Sequence, residues 1–265
     1  MDNEFPIALG LIQQLSRAIA DNALPLPAPP ELATRLQELR KDPDLEPALL
    51  VHVIEHDMAT SAELVRVANS AANRRGQVVG SVNAAVARLG TDLSLNLALS
   101  FSLEQLFRAH SPLVDQRLRR TWKRGQAVAA AATELACSHS HLNPELAMLA
   151  GLLHGIGKLP ILKIVDSDAR IASDARALDY FITALHPAAG CRVLQAWQFP
   201  AAITEIPTQC ADLERSHAGD ADYADVVTVA LLKTSVPGEP LGSVDWANVP
   251  ACRKLGVEPP TAKVA

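Results

Sequence analysis

Residues 91–107, TDLSLNLALSFSLEQLF, constrain the chain more than any other stretch. Apolar residues fall on nearly every side of a helix drawn through them, so no face is left for solvent. Such a helix belongs at the centre of a molecule and must be surrounded by others. Composition agrees. Apolar residues make up 49% of the 265, yet aromatics only 4%, so the core must be built from Ala, Leu and Val. That mix favours helices in close contact over a β-sandwich, which draws on aromatic and β-branched side chains.

The rest of the chain supplies the surrounding helices. Residues 4–20 are expected to be helical, ending before LPLPAPP, where Pro25, Pro27, Pro29 and Pro30 forbid continuation. Leu32, Leu36 and Leu39 follow at i, i+4, i+7, and that helix stops at KDPD. A helix over 46–56 comes next. Another then begins with Thr60 as N-cap and Glu63 at N3, a capping box, with Ser61, Leu64, Val65 and Ala68 on one face. Val82, Ala85, Val86 and Leu89 mark a further helix between Ser81 as cap and Gly90 as terminator. Pro112 sets the boundary between two lobes, 24–112 and 113–232, after an N-terminal helix in 1–23. The second lobe holds helices over 113–139, 143–164, 168–184 and 187–197. The tail, 233–265, is loop-like and closes with a short helix near Trp246. No alternating pattern exceeds four residues and no period repeats, so the class is all-α.

Charge and cysteines exclude several functions. A net charge of −5 argues against general nucleic-acid binding. Cys137, Cys191, Cys210 and Cys252 form no C-x-x-C pair and read as free thiols of a reducing compartment. The N-terminus, MDNEFPIALG, lacks a basic region ahead of an apolar run, and no apolar run approaches the ~20 residues of a membrane helix. The expected location is cytoplasmic, away from membranes.

The chemistry candidates are few. His154 lies in GLLHGIGKLPIL, on a helix face with Ala147, Ala150, Gly151 and Lys158, beside the apolar stripe of Leu146, Leu149, Leu153 and Ile156. His186 precedes Pro187, which suits the first turn of a helix, and shares a face with Gly190, Val193 and Trp197. Two histidines fall short of the three or more ligands a catalytic metal site requires. His139 and His141 belong to a helix end. His52 and His56, at i, i+4, lack the intervening Glu of a zincin and read as a solvated face. In QRLRRTWKR, the residues Arg117, Arg119, Arg120, Lys123 and Arg124 could hold a phosphate or form an ordinary charged face.

Five stretches in order resemble one family, the HDOD domain, a variant of the HD phosphohydrolase superfamily. They are LPLPAPPELATRLQELRKDPD, EHDMATSAELVRVANSA (with Met58 where the family carries proline), SVNAAVARLG, LAMLAGLLHGIGKLPIL and HPAAGCRVLQAWQFP. The resemblance runs from about residue 24 to 232 and implies a two-lobed helical fold. It also implies where superfamily metal ligands would stand. The early His falls near Trp122, at Lys123, Arg124 or Gly125; the Asp of the His-Asp pair is Gly155; the later Asp falls in VVTVALL. Further histidines of the cyclic-dinucleotide enzymes would lie in IPTQCADL. Only His154 and His186 survive.

By resemblance, then, the chain is a non-enzymatic bacterial regulator with no metal or cofactor. It would bind a signalling protein or a small phosphate ligand such as a cyclic dinucleotide, acting in trans in cyclic-di-GMP, chemotaxis or two-component pathways. His154, Lys158, His186 and Arg124 would line the ligand site. Asn69, Ser70, Gly155, Gly157 and Trp197 are read as structural, the two glycines marking a close helix contact or a helix end. Two other readings stand beside it. One is a divergent metal-dependent phosphohydrolase using His154 and His186 with Asp166, Asp168 or Glu205. The other is a nucleotide sensor that binds without cutting.

Overall fold

The computed structural model describes residues 6–73, 76–166, 175–236 and 239–259. All regular secondary structure among the described residues is helical. The chain divides into two compact units: residues 28–107, and residues 1–27 together with 108–265. The division falls ahead of Pro112, and the N-terminal helix belongs to the second unit instead of standing alone.

The first unit contains α2 (Glu31–Leu39), α3 (Pro47–Glu55), α4 (Met58–Ala68), α5 (Val82–Leu89) and α6 (Thr91–Glu104). As its all-round apolar pattern requires, α6 sits at the centre and touches the other four. Leu95, Ala98, Leu99 and Leu103 are buried on it, and so are Ser94, Asn96, Ser100 and Ser102. The Asn96 carbonyl accepts from the Arg40 guanidinium. Burial lowers the Arg40 pKa to about 10, a cost that nearby Asp92 opposes.

The expected capping box at Thr60 is replaced by a cap one turn earlier. Asp57 is the N-cap of α4, and its carboxylate accepts from the Thr60 amide at 2.7 Å. Thr60 itself lies inside the first turn and is buried. Asp and Thr both suit a cap, and sequence alone does not rank two candidates three positions apart. Met58 then occupies N1, a position whose amide needs no helical acceptor, which is why proline or methionine serves there. Ser81 caps α5 as expected, accepting from Ala84 N at 3.2 Å. Gly90, at φ 87°, ends α5 and starts α6 through a left-handed turn that glycine adopts freely.

Asn69 closes α4. Its side-chain amide donates to Val79 O (2.8 Å) and its carbonyl accepts from Val79 N (3.0 Å), while Arg88 donates to the same carbonyl (3.3 Å) and to Ala68 O (3.1 Å). One asparagine thus ties the helix end to the segment that leads into α5. Ser70 Oγ accepts from Asn73 at 3.3 Å.

The second unit contains α1 (Pro6–Ala20), α7 (Pro112–Cys137), α8 (Pro144–Leu153), α9 (Lys158–Asp166), α10 (Ala175–Ala196), α11 (Ala201–Thr204), α12 (Ile206–Gln209), α13 (Tyr223–Lys233) and α14 (Pro250–Lys254). Short 3-10 turns at Pro240–Ser243 and Trp246–Asn248 precede α14. Helix α7 packs on α8, α9 and α13, and α10 packs on α1, α9 and α12. Small residues set the α7–α8 distance. A Cβ added to Gly125 would stand 2.6 Å from Leu152 O, and one added to Gly151 would stand 2.8 Å from Ala129 Cα. Residues 144–166 are long and apolar enough to cross a membrane by composition, but their most apolar 18-residue stretch is 78% buried within the protein.

Two expected helices differ from the observed ones. The helix expected over 143–164 is interrupted at 154–157 and becomes α8 and α9. The break expected before Pro187 is absent, because Pro187 lies inside the continuous α10. A proline in a helix interior loses one backbone bond and crowds the preceding turn. Packing of α10 against its neighbouring helices outweighs that local preference.

Candidate functional site

The break between α8 and α9, with Lys158 at the start of α9 and His186 on α10, carries the site. His154 is the C-cap of α8, and its Nδ1–H donates to Gly151 O at 2.7 Å. A carbonyl can only accept, so the proton sits on Nδ1 and the Nε2 lone pair is left free. Gly155 follows. A Cβ placed there would meet only Thr121 Cγ2 at 3.4 Å and Lys158 Cε at 3.9 Å, so the lysine stem borders the space beside this glycine. Gly157 presses on α10: its hypothetical Cβ lies 1.9 Å from His186 O and 2.3 Å from Gly190 N. That contact is what brings His186 to His154 and Lys158.

The electrostatics of the cluster have one sign. Burial pushes His154 down to about 4, and Lys158 and Arg124 push the same way, against the bond to Gly151. Burial pushes His186 down to about 3, with Lys158 and His154 adding to it. Burial also lowers Lys158, helped by Arg124 and opposed only by the Cys210 thiol. That thiol is itself pushed up to about 12 by burial. Among the described residues no carboxylate acts on any of the three. Lys158 has no hydrogen-bond or ion-pair partner there, and His186 Nδ1 is buried without one.

Arg124 is engaged elsewhere. Its guanidinium donates to Leu231 O (3.1 Å), to Ser235 Oγ (2.7 Å) and to Thr234 O, and so caps the C-terminus of α13. It reaches the cluster as positive potential only. The rest of the basic stretch is a charged face: Arg117 pairs with Asp179 at 3.0 Å and Arg119 with Asp115 at 2.5 Å. His52 and His56 are exposed, as a solvated face requires. Trp197 Nε1 donates to Pro27 O at 2.9 Å, tying the proline connector to the end of α10.

The carboxylates considered as substitute ligands serve other purposes. Asp166 accepts from His110 N (3.0 Å) and Ser111 N (2.9 Å), where α7 begins. Glu205 accepts from Gln195 at 3.3 Å. Asp168 lies outside the described residues. A metal of the superfamily type therefore does not fit this cluster. Two imidazoles with a neighbouring lysine and arginine, and no carboxylate, offer too few ligands and the wrong charge.

A second cluster carries ligand-type atoms. His217, Asp222 and Asp225 place one such atom each within 4.8 Å of one another. The only pointer to it in sequence is the Asp222–Asp225 spacing, which forms a capping box at the start of α13. Cations already fill it. Arg215 donates to Asp222 (2.5 Å) and Asp225 (3.1 Å), His217 Nε2 lies 2.8 Å from Asp225, and Lys254 reaches His217 at 2.9 Å. The network therefore latches α14 and the 211–222 loop onto α13. Asp225→Ala is expected to cost about 3 kcal/mol, because it strands Arg215 and His217 around a carboxylate only 2% exposed. Urea unfolding followed by circular dichroism checks this, and a loss below about 1 kcal/mol would show the latch to be idle.

With two helical units and the cluster of His154, Lys158 and His186 in place, the class is an all-helical protein of two compact units. Within that class, the HDOD domain model matches residues 26–212, and the chain belongs to the HDOD domain family. A proposed metal-dependent phosphohydrolase from Shewanella amazonensis SB2B is 30% identical, with 88% of this chain and 86% of that one covered at a TM-score of 0.76. An HDOD domain protein of unknown function from Geobacter sulfurreducens shares the fold at 21% identity, with 95% and 91% covered and a TM-score of 0.67. So does a proposed signal transduction protein from Marinobacter aquaeolei VT8 at 24% identity and TM-score 0.67, covering 96% of this chain and 61% of that one. No curated protein matches the chain.

Proposed function

We propose that this HDOD protein is a non-enzymatic regulator that works by binding a signalling partner or a small ligand. One observation carries the reading: the residues around His154 and His186 supply cations where a metal hydrolase needs carboxylates. Gly155 has no side chain, and the substitutes Asp166 and Glu205 are committed to other bonds. Signalling names among structural relatives, such as that of the Marinobacter protein, agree with it.

The Shewanella relative, proposed as a phosphohydrolase, keeps a second reading in view, that of a divergent hydrolase. One experiment separates the two. Purified full-length protein is incubated with manganese or ferrous ion and either cyclic dinucleotides or p-nitrophenyl phosphate. Turnover is expected not to exceed that of buffer, and bound metal is expected to be substoichiometric. Metal-dependent turnover that disappears in His154→Ala would sink the regulatory reading.

A further inference from the structure

The C-terminal turn of α3 carries two exposed imidazoles on one side of the helix. His52 and His56 stand at i, i+4, and their ring centroids lie 4.6 Å apart at an interplanar angle of 78°. His56 Nδ1–H donates to His52 O at 2.7 Å. A carbonyl oxygen only accepts, so the proton sits on Nδ1 and the Nε2 lone pair is left for another partner. Metal-ligating histidines use this kind of backbone bond to fix their tautomer and orientation. His52 makes no hydrogen bond or ion pair among the described residues, so its exposed ring can turn a nitrogen toward the same point.

The separation suits one shared ion. Zinc bonds an imidazole nitrogen at about 2.0–2.1 Å, which puts the ion about 3.2 Å from the ring centroid. Two such ligands at an angle of about 90–109° have centroids about 4.5–5.2 Å apart, a span that includes the observed 4.6 Å. The surroundings favour a cation. His56 is the C-cap of α3, at the negative end of the helix dipole, and Glu55 and Asp57 flank it in the chain. A cavity of about 390 Å³, lined by His56 with Glu31, Asp57, Ser102 and Gln105, has room for coordinated water. Arg35, also at this cavity, is paired with Glu31 at 2.7 Å. The other histidine pair on the surface compares poorly. His139 and His141 each hold a backbone carbonyl, and their centroids lie 6.1 Å apart, wider than the span for one ion.

We propose that His52 and His56 form a two-histidine chelate for a divalent transition metal, copper(II), nickel(II) or zinc(II), with water in the remaining positions. Imidazole suits these three ions, and copper(II) stands highest in the order of divalent affinities. Manganese and ferrous ion stand lowest, so the metal expected in the hydrolysis experiment is unchanged. The inference is independent of the regulatory reading, since it uses no residue of the His154 cluster.

The test titrates the full chain with cupric, nickel, zinc and magnesium chlorides in a non-chelating buffer at pH 7.5, followed by calorimetry. One tight equivalent of copper(II) is expected, with nickel(II) and zinc(II) weaker and no heat from magnesium. His52→Asn and His56→Asn should each weaken copper(II) by at least about tenfold. The double variant should lose little more, because a chelate fails when either arm is removed. Both positions are exposed, so melting temperatures in EDTA should match the parent within about 2 °C. In the parent, substoichiometric copper(II) should broaden the amide resonances of residues 52–57 before those around His217. Small, additive losses in the two variants would mean separate surface imidazoles. An equivalent of unchanged affinity in the double variant, or one lost in His217→Gln, would place the metal on other groups. Either outcome, like the absence of binding, overturns the chelate.

Discussion

Gly157→Ala is expected to abolish the stable fold of the second unit. The added Cβ would stand 1.9 Å from His186 O, 2.3 Å from Gly190 N and 2.8 Å from Gly190 Cα. All three are backbone atoms inside α10, so no side chain can rotate away. Gly190 is itself crowded by Pro207 as well as by Gly157, so α10 is closely seated at this point. A Cβ on Gly190 would lie 2.8 Å from Pro207 Cβ and 2.9 Å from Pro207 Cγ. Overpacking ordinarily costs about 1–3 kcal/mol where neighbours can yield; here the obstacle is helix backbone, and about 4 kcal/mol or more is expected.

The neighbouring Gly155→Ala provides the control. It has ordinary contact distances and no left-handed φ, so it should be neutral or stabilising by up to about 1 kcal/mol. Urea unfolding of both variants gives the comparison. A Gly157→Ala protein that melts within 2 °C of the parent would show that α9 and α10 are less closely seated than their backbones indicate.

The two glycines of one motif thus have opposite characters, and the sequence does not tell them apart. Both read equally well as helix-breaking or close-contact positions, because the distinction lies in residues 29 to 33 positions downstream that only the folded chain brings near. What is legible in a single sequence is local. The central helix α6 follows from its own apolar pattern, and the Ser81 and Gly90 signals from single residues with strong backbone preferences. The family follows from five ordered motifs that a model of the HDOD domain also matches.

Local rules failed where two of them competed or where packing overrode them. Asp57 outranked Thr60 as a cap, and α10 ran through Pro187. In the site, the motif gave the residue types at each position but not their partners. It did not foretell that Arg124 would turn away to cap α13, or that Lys158 would have no partner among the described residues. Those outcomes depend on which helix ends meet, a property of the whole unit.

Acid is expected to unfold the protein well before its carboxylates titrate. In the unfolded chain, His154 and His186 bind protons with an ordinary pKa of about 6.5. In the folded chain burial pushes them to about 4 and about 3. Between those values the unfolded state binds more protons than the folded one, so protonation draws molecules out of the fold. The penalty is absent above about pH 7.5 and grows as pH falls through 6.5, by up to ~1.4 kcal/mol per pH unit for each histidine. By pH 4.5 the two together withdraw roughly 4–5 kcal/mol, a large share of the stability of an ordinary domain.

Carboxylates act in a lower window. Burial raises Asp166 and Asp222, but the His110 and Ser111 amides and the Arg215 guanidinium outweigh it and leave both below 3.8. Their contribution is lost only as pH falls through those depressed values, after the histidine effect is nearly complete. Urea unfolding at half-unit steps from pH 7.5 to 4.5 measures the slope. His154→Gln and His186→Gln should each remove about half of it, and the double variant should be nearly flat over that range. If the double variant keeps the parent slope, the two rings already share a proton in the fold. Then the lone pair on His154 Nε2 is not free, and the neutral state that burial imposes on the two rings is overturned.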